Sequence, residues 1–387
     1  MSRQHSYLAS AIKVIASHKS GEPLVHHLKR FFAADKKYGS KDRKQITSLC
    51  YNYYRTGKAL KDMSTEERII VSTFLCTSVP NSFLEEIHPA LNATVALHKA
   101  DKIDSFKIKT VDLFLFINEL GDSIDKEKFA VSFLEQPLFF LRIRPGKEKM
   151  VLEKLADNKI DFEEITTSCI ALQQGFKTEQ FFSLNKDVVV QDRNSQQVFN
   201  YLQKQHVFLK KDIGVWDCCA ASGGKSILLY DLLHGHVELY TSDMRVSILN
   251  NLCTRFKEAG IKKYESFTAD LLQEDDLKID NKFDLIICDA PCSGSGTWAR
   301  TPEQLAFFTT EKIDDYAAIQ LKIATAAIKH LDNKGLFFYI TCSVFKKENE
   351  AVVNQLKEKF NLHVLQMEYL EGYKTKADTM FVAVMSY

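Results

Sequence analysis

Apolar positions near the N-terminus recur at helical spacing. Leu8, Ile12 and Ile15 fall at i, i+4 and i+7, as do Leu24, Leu28 and Phe31. Ile46, Leu49, Cys50 and Tyr53 fall at i, i+3, i+4 and i+7. Such stripes predict amphipathic helices, and residues 1–130 are expected to form a helical domain. Gly39-Ser40-Lys41-Asp42 reads as a loop, with Ser40 as the N-cap of the third helix. Near Gln136-Pro137 the texture changes. Pro137 to Arg144 alternates and runs into Pro145-Gly146, as a strand runs into a turn. A helical stretch from Lys147 to Asn158 follows, then short β-like runs at Phe162–Ile165 and Ile170–Leu172. This order predicts a small α+β domain over residues 135–200, ferredoxin-like in its β-α-β-β pattern.

Beyond about residue 205 strands alternate with helices. Strands are expected at Gly214–Cys218, Val237–Ser242, Tyr264–Thr268, Phe283–Asp289, Gly335–Thr341, Leu362–Gln366 and Met380–Ser386. Seven strands with intervening helices predict an α/β fold over residues 201–387, a doubly wound Rossmann-like sheet. No internal repeat or low-complexity tract interrupts it.

Composition narrows the class. A chain of 387 residues exceeds one usual domain. Its 45% hydrophobic and 26% charged content is that of a soluble globular protein, and no apolar run approaches the length of a membrane span. The nine cysteines include no C-x-x-C pair, and the N-terminus has no signal-peptide pattern. The odd cysteine count and the lack of that pattern point to a reducing, cytoplasmic setting. The net charge of +1 conceals an asymmetry: residues 1–60 hold twelve Lys/Arg against three acids, a net +9. A basic end suits a polyanion such as RNA; a solvated helical surface explains the charge equally well. Tyr51, Tyr53 and Tyr54 lie beside Arg43, Lys44 and Arg55, an interleaving that can hold RNA. Core tyrosines beneath a charged outer face are the favoured reading of that segment.

The first expected strand of the large domain leads into Asp217-Cys218-Cys219-Ala220-Ala221-Ser222-Gly223-Gly224-Lys225. This is neither a P-loop nor G-x-G-x-x-G. The glycines still allow close backbone approach to a ligand, and the following helix offers free N–H groups. The next strand ends at Asp243, suited to a ribose diol, and the third runs to Asp270, suited to an adenine amino group. A fourth ends at Asp289. Each acid taken alone fits a helix N-cap; three at successive strand ends do not reduce to that. The implied ligand is a nucleoside without a polyphosphate. S-adenosylmethionine fits this description better than NAD.

Two thiols complete the pattern. Asp289-Ala290-Pro291-Cys292 follows one apolar strand, and Thr341-Cys342-Ser343 ends another. Cytosine C5 is a weak nucleophile until a thiolate adds at C6, and the adduct then needs a group near N3 and the exocyclic amine to stabilise it. Cys342 is assigned as the nucleophile, Asp289 as the base-edge partner and Cys292 as the thiol that assists breakdown of the adduct. Cys50, Cys76, Cys169 and Cys253 read as inert, and Cys218 and Cys288 as core. No convincing His/Cys set accompanies Cys288 and Cys292, so no metal is expected.

At these residues the chain resembles the RNA cytosine-5 methyltransferases of the Sun/Fmu (RsmB-like) family. The resemblance rests on 217–225, Asp243 with Arg245, Asp270, Asp289 to Gly296, and Tyr339-Ile340-Thr341-Cys342-Ser343 followed by Glu348-Asn349-Glu350. It extends to Val190-Gln191-Asp192 with Ser195, and covers residues 135–387. The N-terminal helices, with Asp42-Arg43 and Tyr54-Arg55, are similar to NusB-like RNA-binding domains. The resemblance implies S-adenosylmethionine bound at 219–225, Asp243, Asp270 and Asp289. It implies Cys342 as the attacking thiol and Cys292 as the thiol of product release. It also implies a cytoplasmic rRNA substrate, with tRNA as the second choice; a monomer is expected. Ser222 stands where the family usually has proline, which loses a fixed φ. Two other readings carry weight at this stage: a non-catalytic RNA-binding or ribosome-assembly factor on the same fold, and a methyltransferase acting by direct attack.

Overall fold

The computed structural model describes residues 2–205, 212–273 and 279–387. They form two compact units, one of Met1–Leu120, Asp125–Gln136 and Thr297–Thr310, the other of Gly121–Ile124, Pro137–Gly296 and Glu311–Tyr387.

The first unit is helical. Its longer helices are Arg3–Ser17, Leu24–Ala34, Ser40–Arg55 and Thr65–Cys76. The buried stripe of the first runs through Leu8, Ala11 and Val14, with Ile12 and Ile15 on its flank. Ser40 is the first residue of the third helix and not its cap. Gly39 takes the cap position, and its N–H donates to Asp42 Oδ2 at 2.8 Å. The second helix follows Pro23, which offers no side-chain cap, and the Leu24 N–H instead donates to Glu303 Oε1 at 2.9 Å. Segment 297–310 therefore belongs to the helical unit by contact, although the chain reaches it from within the large sheet.

Tyr54 is buried and its hydroxyl meets His18 Nδ1 at 2.8 Å. Arg55 is only 1% exposed. Its guanidinium donates to the carbonyls of Phe133 and Glu135 and to Gln136 Oε1, at 3.0, 2.9 and 2.6 Å. Arg55 is thus a buried strut and contributes nothing to a phosphate-binding surface. The other eleven basic residues of 1–60 are exposed.

The second unit contains both sheets. The smaller comprises β1 (Phe139–Ile143), β2 (Glu163–Thr166), β3 (Cys169–Leu172) and β4 (Val188–Val190), in the order β2-β3-β1-β4 and antiparallel throughout. Helix Glu148–Asp157 packs Val151 and Leu155 against Leu141, Ile143, Ile170 and Leu172. The strand order is that of the expected ferredoxin-like unit, with the second crossover reduced to a 3-10 turn at Thr178–Gln180. Arg142 and Arg144 of this module reach Asp231 of helix Gly224–Leu232 at 2.5 and 2.7 Å, all three buried.

The larger sheet has seven strands: β5 (Ile213–Asp217), β6 (Val237–Asp243), β7 (Tyr264–Thr268), β8 (Phe283–Asp289), β9 (Leu331–Thr341), β10 (His363–Leu370) and β11 (Met380–Ser386). Their order is β10-β11-β9-β8-β5-β6-β7. The run β9-β8-β5-β6-β7 is parallel, and β11 pairs antiparallel with both β9 and β10. Burial on both faces explains the unbroken apolar runs of β8 and β9; Leu285 to Cys288 and Phe337 to Ile340 have no measurable exposure. Chain order reverses between β5 and β8. Ligands of doubly wound sheets bind at the carboxyl ends of the strands beside such a switch. Among the described residues no helix is long and apolar enough to cross a membrane.

Candidate active site

Parallel register brings the strand ends to one rim. Asp217 stands opposite Ile287, Asp243 opposite Thr268, and Asp289 opposite Ile340. The loops holding 218–225, Asp243, Asp270, Cys292 and Cys342 all leave from this edge.

The loop after β5 is a tight turn. Ala220 N–H donates to Ser242 O at 2.9 Å, and Gly223 N–H to Ala220 O at 2.8 Å. Ala221 has φ +45 and Gly223 has φ +78. A Cβ on Gly223 would lie 2.7 Å from Phe256 Cε1 and 3.0 Å from Leu252 Cγ. Glycine is therefore required at 223 by both its backbone and its packing. Asp243 Oδ2 accepts the Ala221 N–H at 3.1 Å, while the Arg245 guanidinium meets the same carboxylate at 2.9 and 3.0 Å. Burial opposes ionisation of Asp243, but the hydrogen bonds and charge of Arg245 outweigh it and hold the carboxyl below its usual range. Asp270 turns back on its own loop and accepts Leu272 N–H at 3.0 Å.

Lys225 opens helix Gly224–Leu232 and pairs with Asp289 Oδ2 at 2.5 Å. Burial alone would lower the ammonium. The charge and hydrogen bond of Asp289, with smaller contributions from Cys342 and Asp217, raise it instead. Lys225 thus stays protonated, within electrostatic reach of both Asp289 and Cys342.

The two thiols meet: Cys292 Sγ lies 3.3 Å from Cys342 Sγ, and both are free. The hydrogen bond to Cys342 pushes the Cys292 thiol well up, and burial adds to it. Cys292 is accordingly held as a thiol, and either sulfur can donate in the contact.

A buried carboxylate ties the two thiol loops together. Glu348 Oε2 accepts Ser293 N–H and Gln320 Nε2, each at 2.9 Å, and Oε1 accepts the Ser343 hydroxyl at 2.9 Å. Ser293 follows Cys292 and Ser343 follows Cys342, so one side chain fixes both neighbours. Ser295 Oγ sits 3.2 Å from Ser343 Oγ and accepts Val344 N–H at 3.0 Å. Asn349 accepts the Thr341 hydroxyl at 2.6 Å and donates to Ser343 O at 2.9 Å. Gly296 closes the arrangement by donating to Cys342 O at 2.8 Å. A Cβ there would lie 1.9 Å from Thr379 O, so only glycine fits the approach. Glu348 and Asn349 lay in a recognised motif, but their spacing from Cys342 gave them no role in the sequence. The signal was a buried acid six residues beyond a reactive thiol.

Asp217 is a further acid of this rim that the sequence left without a role. It is 1% exposed. Ser226 Oγ donates to its Oδ2 at 2.6 Å, and Oδ1 has no hydrogen-bond partner among the described residues. Burial, helped by the charge of Asp289, raises its carboxyl to about 7 against the pull of Ser226 and Lys225.

The family model described as 16S rRNA methyltransferase RsmB/F matches residues 202–384. The probable ribosomal RNA small subunit methyltransferase B of Bacillus subtilis is 28% identical over 238 residues, 59% of this chain and 51% of that protein. Ribosomal RNA small subunit methyltransferase F of Aeromonas salmonicida is 30% identical over 154 residues, 39% of this chain and 32% of that one. Human tRNA (cytosine(72)-C(5))-methyltransferase NSUN6 is 28% identical over 165 residues, 39% of this chain and 34% of that one. The chain thus spans about half the length, or less, of these relatives. Among solved structures, PH0851 shares the fold over 98% of this chain and 97% of its own, with TM-score 0.70 and 17% identity. NSun6 from Pyrococcus horikoshii with SFG covers 70% of this chain and 96% of its own, with TM-score 0.59 and 16% identity. Over residues 202–384, which hold the thiol pair and the glycine turn, the chain is similar to the RsmB/F methyltransferase family.

Proposed function

We propose that this protein methylates C5 of cytosine in RNA, rRNA in the first place and tRNA in the second, through a covalent adduct between Cys342 and C6. The observation that carries the proposal is the thiol pair, 3.3 Å apart at the ends of adjacent parallel strands and next to the Lys225–Asp289 pair.

The residues fit S-adenosylmethionine. The turn at 219–224 has no room for added side-chain atoms at Gly223, and Asp243 presents a carboxylate at the end of β6. Cys219 to Lys225, Asp243, Asp270 and Asp289 would hold this methyl donor, which supplies an electrophilic methyl group to the rim.

The chain's own groups then divide the work. The Cys342 thiolate adds to C6, and the electron pair displaced from the C5–C6 bond makes C5 nucleophilic toward the methyl group. Asp289 faces the base edge, and Lys225 balances the charge that builds up on the ring. Transfer of the C5 proton to solvent water returns the electron pair to the C5–C6 bond, and the C6–S bond breaks to expel the Cys342 sulfur. Cys292, held protonated at 3.3 Å, supplies a proton to the departing sulfur. Glu348 acts through Ser293 and Ser343 and does not touch the reacting atoms.

The helical unit, with eleven exposed basic residues in 1–60, supplies phosphate contacts that carry no sequence information. Cytoplasmic RNA is the polyanion these features suit. A target inside a duplex must be flipped out or met in a single-stranded loop.

The test is methyl transfer from labelled S-adenosylmethionine to RNA lacking the modification, with nucleoside analysis and a denaturing gel. Wild type should label 5-methylcytidine, Cys342→Ala should label nothing, and Cys292→Ala should trap a protein–RNA adduct. Label in another nucleoside, or activity that survives Cys342→Ala, would overturn the mechanism in favour of direct attack.

A further inference from the structure

Ser222 occupies the apex of the turn after β5, where the resembled family usually places proline. Its neighbours show what replaces the ring. Arg255 Nη1 donates to both Ser222 O, at 2.8 Å, and Ser222 Oγ, at 2.7 Å. The same guanidinium donates through Nε to Asn185 Oδ1 at 3.0 Å. Arg255 lies on helix Val246–Ala259, next to Phe256, which packs on Gly223. Two consecutive turn residues are thus referred to one helix: Ser222 by hydrogen bonds to Arg255, and Gly223 by Phe256 and Leu252, which leave no room there for a Cβ.

Asn185 is itself fixed on every side. Its backbone N–H donates to Val188 O at 2.8 Å, its amide nitrogen to Glu258 Oε2 at 2.7 Å, and its carbonyl accepts from Arg144. It is buried, with φ +60. The loop before β4 therefore holds one end of the Arg255 guanidinium while the turn holds the other.

We propose that Arg255 is a positioning residue for the cofactor turn: it supplies the restraint that a proline at 222 would otherwise give, and it couples methyl-donor affinity to the small sheet through Asn185. This rests on the reading of 219–225 as the S-adenosylmethionine turn. The physical logic is that a proline narrows the turn in the free protein through its fixed φ. A serine does not, so the same narrowing must come from contacts. A planar guanidinium with divergent donors can bridge two fixed acceptors, which an ammonium on a flexible stem cannot do in the same geometry. Among the described residues Ser222 N–H makes no hydrogen bond, so a proline at 222 would sacrifice none.

The experiment is calorimetric titration of the full chain with S-adenosylmethionine, beside kcat at saturating donor. Arg255→Met is expected to weaken binding about tenfold, as loss of charge-assisted hydrogen bonds does, with kcat changed less than about twofold. Arg255→Lys should recover little of the affinity. Adding Ser222→Pro to Arg255→Met should restore most of it, whereas a merely structural arginine would not be rescued by a change at the turn. Asp243→Asn serves as the reference. If it weakens binding while Arg255→Met does not, or if the double variant binds no better than Arg255→Met, the proposal is wrong. If neither Asp243→Asn nor Arg255→Met alters binding, the reading of the turn as the cofactor site fails instead. Should Arg255→Met not fold, Arg255→Lys with and without Ser222→Pro decides the same question. Methyl transfer to RNA is not needed for the binding readout, so a failure of the proposed reaction remains distinguishable.

Discussion

The two halves of the rim are built differently. After β8 and β9, the loops bearing Cys292 and Cys342 are cross-tied by Glu348, Ser293, Ser295, Ser343, Asn349 and Gly296. After β6 and β7, Asp243 is held by Ala221 N–H and by an Arg245 side chain that is 57% exposed, and Asp270 caps its own turn. The difference matches the proposed tasks. Reacting atoms tolerate little displacement, so the groups that deliver them are fixed in advance. On the proposed reading a nucleoside is gripped by carboxylates at the rim, where an exposed partner such as Arg245 can give way. The contrast predicts that damage on the thiol side reads out in kcat, and damage on the acid side in donor affinity.

The largest effect tests whether the thiol side does chemistry at all. Cys342→Ala should reduce methyl transfer by a factor on the order of 10⁴ while leaving S-adenosylmethionine binding within about twofold, since on the proposed mechanism it deletes the attacking thiol. A modest loss, or an equal loss of binding, would erase the distinction between the halves.

Asp217 stands between them, at the end of β5, and offers a pH test. Its folded carboxyl titrates at about 7, raised from the ordinary value of 3.8 by burial first and then by Asp289. A raised value means that the folded state holds the proton more tightly than the unfolded chain. The stabilisation is fully present below about pH 4 and is lost as pH rises through about 7. Its upper bound is about 4 kcal/mol, since each tenfold gain in proton affinity on folding is worth about 1.4 kcal/mol. Asp217→Asn mimics the protonated acid and keeps an acceptor for Ser226. Its Tm should match wild type near pH 4, exceed it increasingly up to about pH 7 and stay above it by a constant margin beyond. Parallel curves for the two proteins would show that Asp217 ionises without cost in the fold.

Glu348 is the next test. Glu348→Gln keeps size but places an NH2 group where at least one of Ser293 N–H, Ser343 Oγ–H or Gln320 Nε2 now donates. The donor clash should separate the two thiol loops and cost about 10²-fold in kcat, the scale of a small misplacement of reacting groups. Donor affinity should be unchanged. The measurement is kcat and KM for both substrates, with trapping of the RNA adduct as a check on Cys342 alone. If kcat is unaffected, the network supports the fold and not the geometry of the thiols.

How much of this was legible follows from the length scale of each feature. Parallel strands buried on both faces leave unbroken apolar runs, so β5 to β9 and the acids and thiols at their ends could be read directly. β9 starts earlier than expected, at Leu331, because the exposed Asp332-Asn333-Lys334 reads as a turn. β10 continues to Leu370 with only alternate residues covered, a pattern that blurs its end. The reading of core tyrosines holds for Tyr54, but Arg55 lies buried and not on the expected charged outer face. The acceptors that bury Arg55 lie 78 to 81 residues along the chain, beyond any local pattern. Glu348 and Arg255 were hidden for the same reason: a charged residue on a helix or short turn reads as surface until its distant partners are known. The bridging role of segment 297–310 in capping Leu24 spans a gap of 279 residues.

The smallest expected effect belongs to the acid half. Asp243 is only 6% exposed, yet its lowered pKa depends on Arg245, whose own side chain reaches into solvent. Asp243→Asn keeps a carbonyl acceptor for Ala221 N–H but loses the charge-assisted hold on Arg245. A carboxylate can accept both hydroxyls of a ribose diol, whereas an amide oxygen accepts and its nitrogen donates. One of the two hydroxyl contacts is therefore lost, worth about tenfold in donor affinity for a hydrogen bond to a charged group. The loss should appear in the KM for S-adenosylmethionine and in its calorimetric Kd, with kcat at saturation intact. Arg245→Ala gives the matching control. If Arg245 yields to the ribose, its removal leaves Kd within about twofold, because its pairing with Asp243 is an exposed one of small net worth. A fall in kcat for Asp243→Asn would instead mean that the turn after β5 and the thiol rim move together, and that the two halves are one machine linked through Ala221.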